Sequence, residues 1–440
     1  MRAFTAALVS LLLSSVLSGS AWAGWSAPRS VSVARYWGAA AAVDGRGDAA
    51  LAWVNKGADA DPVTRYRTSV YVRVWTAGGR AVTRKLWSSN DARTDSLDVV
   101  LGAGEVTVVW VTDNREATTP VLRAAYGPLI GRWRAPRVIG HDPWEQGYPP
   151  TGLDNWFEHL AVAPDGEVLL AFNRGAGWTD DQPVGTTVVW RRPGHSFGTP
   201  QLLREGPGAA VPHFDMGGAA YLSGYCNGFV LIAPAHTHRF KRRIVLTPGG
   251  VLGFNLSLSG AHRGFASWID GRCSFDAEAA NTPGPVSGSA LNAGIFAKPL
   301  QLSSSSTTAV FDNVVMTAAG GTVNWVTVTA FGTASPTASA TFSRQIDAKG
   351  VPGATQQTAS GPIALAADGG GDVLYGPETT CFSSCATGTF VRPVGGGADQ
   401  PAPAGLGPIA VASPTGRAAA VVWQPNPLAG ATIDLAVWRP

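Results

Sequence analysis

Residues 188–200 read VVWRRPGHSFGTP in one piece: an apolar strand, a Pro-Gly turn, and a second strand announced by aromatic-x-x-Pro. The unit recurs once in two halves. Residues 435–440 (LAVWRP) supply the first half, and residues 24–28 (GWSAP) supply the second. A repeat unit shared between the two ends of an array predicts that the array closes into a ring. The N-terminal strand would then complete the last unit.

Three blocks align without gaps and define the repeat: GDAALAW at 47–53, GEVTVVW at 104–110 and GEVLLAF at 166–172. Each is a glycine, five residues rich in small and β-branched types, and a large aromatic. Upstream of the first and third lies an apolar stretch ending in Asp-Gly, so strand, turn and strand form a hairpin signal. Looser copies end at Trp268, Trp325, Tyr375 and Trp423, and residues 217–234 have the same outline without a terminal aromatic. The pitch of roughly 50 residues is that of propeller blades.

Two further strands follow each hairpin. The third alternates, as in residues 69–75 and 186–191. The fourth opens with aromatic-x-x-Pro at Trp25–Pro28, Trp133–Pro136, Phe197–Pro200 and Phe296–Pro299. Proline cannot donate to a ladder and belongs at a sheet edge, so the fourth strand is expected outermost. The Ala- and Val-rich hairpin is expected innermost, where blades converge. The expectation is an all-β closed β-propeller over 24–440, with about eight four-stranded blades. Seven blades plus an insertion is the alternative, because the block around Cys226 departs most from the pattern. These blocks resemble the repeats of secreted bacterial β-propeller-like proteins, of the WD40/sialidase-like architecture. Their units run apolar strand, Asp-x-x-Gly turn, strand ending in Trp, Arg-Pro-Gly-Gly strand and aromatic-x-x-Pro strand. The resemblance implies architecture and says nearly nothing of activity.

Arg2, the apolar run 6–17 and Ala21-Trp22-Ala23 form a signal-peptide pattern over 1–23, too short to span a bilayer comfortably. An exported, secreted or periplasmic protein is expected, with no transmembrane segment. Four cysteines in such a chain favour disulfides. Of three possible pairings, Cys226–Cys273 would bridge neighbouring repeats and Cys381–Cys385 would staple one loop; no CxxC spacing supports zinc. Arg outnumbers Lys, 28 to 5, but the basic residues are scattered. The one cluster, 239–243, reads as a solvated strand face, and nucleic-acid binding is not expected.

Loops between second and third strands, and from each fourth strand to the next blade, are long and should share one face. The richest, 141–159, carries Asp142, Trp144, Glu145, Tyr148 and Trp156, with Trp178 and Asp180 as an extension from 173–185. Flat aromatic faces beside carboxylates suit sugar rings, while a self-packed loop is the plainer alternative. The expected partner is therefore a carbohydrate or a protein, bound by a monomer. No catalytic residue, metal ligand or cofactor is assigned. GHSFG at 194–198 matches a nucleophile elbow but is a repeat turn, since GRWRA at 131–135 aligns with it and has no serine. His236 and His238 would share one strand face, without an identifiable third metal ligand. A glycoside-acting enzyme on the same ring is the alternative function; it needs two carboxylates facing across the central opening.

Overall fold

The three aligned blocks are all second strands of four-stranded antiparallel sheets, and their lack of alternation has a simple cause. Ala49, Ala50, Leu51 and Ala52 are all fully buried, because a strand near the axis is covered on both faces by neighbouring blades. Farther out the pattern changes. Thr68–Trp75 alternates buried and half-buried positions, and Ala81–Ser89 has no buried residue. Burial in this blade is thus greatest in the second strand, because the innermost strand is partly open to the axis, and falls toward the rim.

The computed structural model describes residues 24–33, 36–56, 68–90, 92–114, 121–141, 158–174, 185–203, 210–224, 227–271, 284–328, 338–358, 363–376, 389–394, 397–403, 409–423 and 432–440. Their strands make eight blades in a ring, six as separate four-stranded sheets and two merged through one long strand, Arg242–Gly260. The innermost strands of blades 1 to 8 are Tyr36–Val43, Ala92–Gly102, Glu158–Val162, Ala210–Phe214, the latter part of Arg242–Gly260, Ala309–Thr317, Ile363–Ala367 and Ile409–Ala412. All eight line a central channel. The architecture is the all-β propeller expected from the sequence. Among the described residues no helix is long and apolar enough to cross a membrane.

The core lies between blades. One layer joins Val31, Trp53, Val422, Leu435 and Val437 across the seam of blades 8 and 1, and another joins Ala50, Val72, Leu101 and Trp110 across blades 1 and 2. The aromatics closing the second strands stack on their cross-strand partners: Trp53 on Tyr71 at 5.4 Å, Trp325 on Phe342 at 5.7 Å and Tyr375 on Phe390 at 5.1 Å. Such pairs add to area burial and hold the register.

The ring is closed by the split unit. Arg29–Ser32 pairs antiparallel with Thr432–Trp438, with Val31 opposite Ile433. In intact blade 3 the Gly198 amide donates to the Trp190 carbonyl at 2.9 Å; in blade 8 the Ser26 amide donates to the Val437 carbonyl at 2.7 Å. The bond is the same, made between chain ends. Val437, not Trp438, therefore occupies the place of Trp190, one residue off the sequence alignment of the two tryptophans. Trp438, 1% exposed, instead packs with Trp25 and bridges to it.

Blade 4 differs from expectation. Its first hairpin is Ala210–Phe214 with Ala220–Gly224, so residues 217–234 span its second and third strands. Pro212 and His213 disguise the innermost strand, which tolerates proline because its channel side is an edge. Its fourth strand runs straight on into blade 5 without the long loop expected there.

Candidate functional site

The two faces of the ring are built differently. On one face lie the turns within first hairpins and between third and fourth strands. Asp44 Oδ1 accepts the amides of Arg46 and Asp48 at 2.9 and 3.0 Å. Asp215 Oδ1 accepts those of Gly217 and Ala219 at 2.8 and 2.9 Å, and Asp368 Oδ1 those of Gly370 and Asp372 at 3.0 and 2.9 Å. A carboxylate capping its own turn this way sets the Asp-x-x-Gly geometry. The glycine follows at positive φ, as at Gly47, Gly218 and Gly371.

These turns are tied blade to blade. Buried Arg191 of blade 3 donates to Glu105 Oε2 and Thr107 Oγ1 of blade 2, both at 2.8 Å, and lies over the Tyr126 ring at 4.8 Å. Arg417 of blade 8 donates to Asp372 of blade 7 at 2.8 and 3.0 Å. Arg134, Arg242 and Arg263 reach carbonyls of the following blade, and Arg84 reaches that of Gly131. His236 and His238 sit here too, in a turn rather than on a strand face. Their imidazoles meet blade 3 acids: His238 Nε2 lies 2.6 Å from Glu167 Oε1, and His236 Nδ1 lies 3.7 Å from Asp165 Oδ2. His238 also stacks on Trp190 at 4.8 Å. The pair is a blade junction, and no metal cluster of three or more His, Cys, Asp or Glu forms among the described residues. Ser196 of the GHSFG turn accepts a bond from Arg134 at 2.9 Å, the role of a repeat turn. In the basic cluster, Arg243 lies over the Phe229 ring at 4.3 Å, its stem along the blade.

The opposite face receives the second-to-third connections and most of the blade-to-blade ones. Residues 142–157 leave from His141 and return at Glu158, and residues 175–184 leave from Arg174 and return at Gly185. Glu158 pairs with Phe172, and Arg174 with Gly185, so 175–184 is anchored in blade 3 beside the return end of 142–157, which sets out from blade 2. Asp142, Trp144, Glu145, Tyr148, Trp156, Trp178 and Asp180 themselves lie outside the described residues. So do Cys226, Cys273, Cys381 and Cys385. Cys226 and Cys273 fall in the second-to-third connections of adjacent blades 4 and 5, and Cys381 and Cys385 in that of blade 7.

Between the faces runs the channel, enclosing about 560 Å³. Its lining holds polar residues that the sequence reading passed over: Asp98, His213, Ser223, Asn255, Ser257 and Asn313. Asp98 Oδ1 accepts the Val99 amide at 2.7 Å, and its Oδ2 accepts the Leu160 amide of blade 3 at 2.8 Å. Burial pushes its carboxyl up to about 6, against the pull of those two amides. His213 Nε2 lies 3.1 Å from Ser223 Oγ. Burial, and next the neighbouring His159, hold its imidazole down to about 4, so it is neutral at pH 7. Asp98 is the one carboxylate lining the channel among the described residues. Asp312 is buried too, but its Oδ2 accepts from Ser267 Oγ at 2.6 Å, and burial pushes it up to about 6. The facing carboxylate pair that glycoside hydrolysis uses is thus not found among these lining residues. The signal that could have revealed the channel set was the polar residue inside an otherwise apolar innermost strand, as in SLDVVLG at 96–102.

No family model matches this chain, and no curated protein matches it. Several solved structures are similar to it at low identity. A prolyl endopeptidase structure is 10% identical with TM-score 0.41, over 82% of this chain and 47% of that one. The β-propeller domain of the Trilobed protease from Pyrococcus furiosus is 9% identical with TM-score 0.38, over 84% and 93%. Trypanosoma rangeli sialidase in complex with sialic acid is 9% identical with TM-score 0.33, over 68% and 52%. The chain spans about half the length of the endopeptidase and sialidase structures it matches.

Proposed function

We propose that the protein is an exported binding module that holds a carbohydrate through the loops on one face of the ring. The asymmetry of the two faces carries this reading. One face is consumed by self-capped turns and blade-to-blade ties, as at Arg191 with Glu105 and Arg417 with Asp372. The other receives the long connections, and a rigid scaffold that gathers long loops on one face uses them for recognition. Segments 142–157 and 175–184, whose described ends lie on that face, carry three tryptophans, a tyrosine and several carboxylates in their sequence. Such a set stacks on the apolar face of a pyranose and accepts from its hydroxyls.

The test is a glycan array probed with the chain beginning at Gly24, followed by calorimetric titration of the best-bound oligosaccharide. Trp144→Ala and Trp156→Ala should each weaken binding about tenfold, roughly 1.4 kcal/mol, with little change in melting temperature. A large loss of stability with unchanged affinity would show that the rings pack the loop onto the blade. An array without signal, beside capture of a defined protein partner, would replace the carbohydrate with a protein.

A further inference from the structure

The channel lining is lopsided in a way that the fold does not require. Blades 7, 8 and 1 line it with apolar residues alone, among them Leu365, Ala366, Val411, Ala412, Ala41 and Val43. Blades 4 to 6 present His213, Ser223, Asn255, Ser257 and Asn313, with Asp98 from blade 2. Closing the ring does not demand polar residues there, since three consecutive blades close without them.

Some of the polar set also serves the frame. Asn255 Nδ2 donates to the Asp312 carbonyl at 3.0 Å, Asn313 Nδ2 to the Ala364 carbonyl at 2.9 Å, and Ser257 Oγ accepts the Met316 amide at 2.9 Å. Each asparagine spends its nitrogen in this way and keeps its carbonyl oxygen for another donor. The His213–Ser223 pair joins no blade to its neighbour, because both residues belong to blade 4. Ser223 Oγ also donates to the Val211 carbonyl at 3.5 Å, so the pair ties two strands within blade 4 but takes no part in closing the ring.

We propose that the channel is a binding site for a small neutral molecule with a hydroxylated edge and an apolar face, the chemistry of a single hexose or cyclic polyol. Size fits: about 560 Å³ lies within the range of small-molecule sites, which are mostly apolar with a few convergent polar groups. Charge fits as well. No Lys or Arg lines the channel among the described residues, and both oxygens of Asp98 already accept backbone amides. An anion would find no counter-charge and a cation only the Asp98 carboxylate, already engaged by two amides, whereas hydroxyls find acceptors in Asn255 and Asn313 and a donor–acceptor pair in His213 and Ser223. The opposite Ala and Leu wall takes the C–H face of the ring. The polar groups of this site all come from strands, not from the long loops.

The experiment adds D-glucose, D-galactose and myo-inositol in turn to the chain beginning at Gly24. Saturation-transfer NMR reads the probe, and the imidazole ¹⁵N resonances of His213 read the site. One probe should saturate and shift His213. Ala366→Phe, which fills the channel from the apolar wall and removes no polar group, should abolish both signals. His213→Leu combined with Ser223→Ala should weaken binding by about tenfold or more. Thermal unfolding checks that each variant folds, and Ala412→Leu serves as a second filling variant. Trp144→Ala and Trp156→Ala should leave these signals unchanged. The proposal is overturned if no probe saturates at roughly 50 mM, or if binding survives both filling variants. It is equally overturned if the tryptophan variants lose the probe while the channel variants keep it, a result that would leave the loop-face reading standing.

Discussion

Arginine recurs in the ties between neighbouring blades, beside His238, Asn255 and Asn313, in a chain where it far outnumbers lysine. A planar fork can meet two acceptors at once and lie over a ring, as Arg191 does with Glu105, Thr107 and Tyr126; an ammonium cannot. Arg191 is 1% exposed, so its removal leaves a hole beside the Glu105 carboxylate, which keeps only the Gly194 amide. Arg191→Ala should cost about 3 kcal/mol, the lower end for a broken buried pair because Glu105 is partly solvated. Arg191→Lys should recover only part of that loss, and urea midpoints measure both. His213 allows a test of pH dependence. Its imidazole is held down to about 4 in the folded protein, while the unfolded chain protonates near the ordinary 6.5. The unfolded state therefore binds more protons between those values, and stability from this group is lost as pH falls from 6.5 toward 4. His213→Leu should lose less melting temperature than the native chain between pH 7 and pH 4.5. Equal losses would mean that the imidazole protonates freely in the fold.

At the scale of the element, the recurring device is the Asp-capped turn that sets one blade against the next. Blades 8 and 1 meet where the Asp44 turn packs on the turn at 413–417, whose cap is the Ser413 hydroxyl, with no room for a side chain. A Cβ on Gly45 would lie 2.7 Å from the Gly416 Cα, and one on Gly416 would lie 2.6 Å from the Gly45 Cα. Backbone faces backbone, so neither can swing away. Gly45→Ala should cost about 1–3 kcal/mol through overpacking, read as a lower urea midpoint. Gly79 provides the control. It sits at φ +85° in a turn of the same blade with nothing within 4 Å of a Cβ, so Gly79→Ala should cost only the left-handed backbone term, about 1–2 kcal/mol. Unequal penalties in that order would place the difference in the seam rather than in the turn.

For the whole molecule the decisive contact is the one between the chain ends. The segment 24–32 supplies the outermost strand of blade 8, its pairing with Thr432–Trp438, the Ser26–Val437 and Arg439–Gly24 backbone bonds, and the bond from Trp25 Nε1 to the Gln400 carbonyl of blade 7. It also buries Trp25 and Val31, at 6% and 3% exposure. A chain beginning at Val33 should therefore be less stable than one beginning at Gly24 by several kcal/mol, about 1.5–3 for each buried side chain plus about 1 for each lost hydrogen bond. Comparison of their thermal unfolding decides this; coincident midpoints would mean that the blade 8 edge is dispensable.

The architecture was legible because the repeat is written in short-range terms. Glycine, small residues and a closing aromatic mark a strand buried on both sides, Asp-x-x-Gly marks a turn that caps itself, and aromatic-x-x-Pro marks an edge. The cut unit at 435–440 and 24–28 determined ring closure in the same way. Blade 4 was misread where Pro212 and His213 replace the apolar pattern, since a strand facing a channel is freed from it. The site was less legible. The loops that read as a binding surface are known by their anchoring face, and the Asp98, His213, Asn255 and Asn313 set went unseen. Those residues come from blades 2, 4, 5 and 6, far apart along the chain. No local pattern can announce them, because only closing the ring turns eight innermost strands toward one axis and makes distant polar exceptions into a single wall.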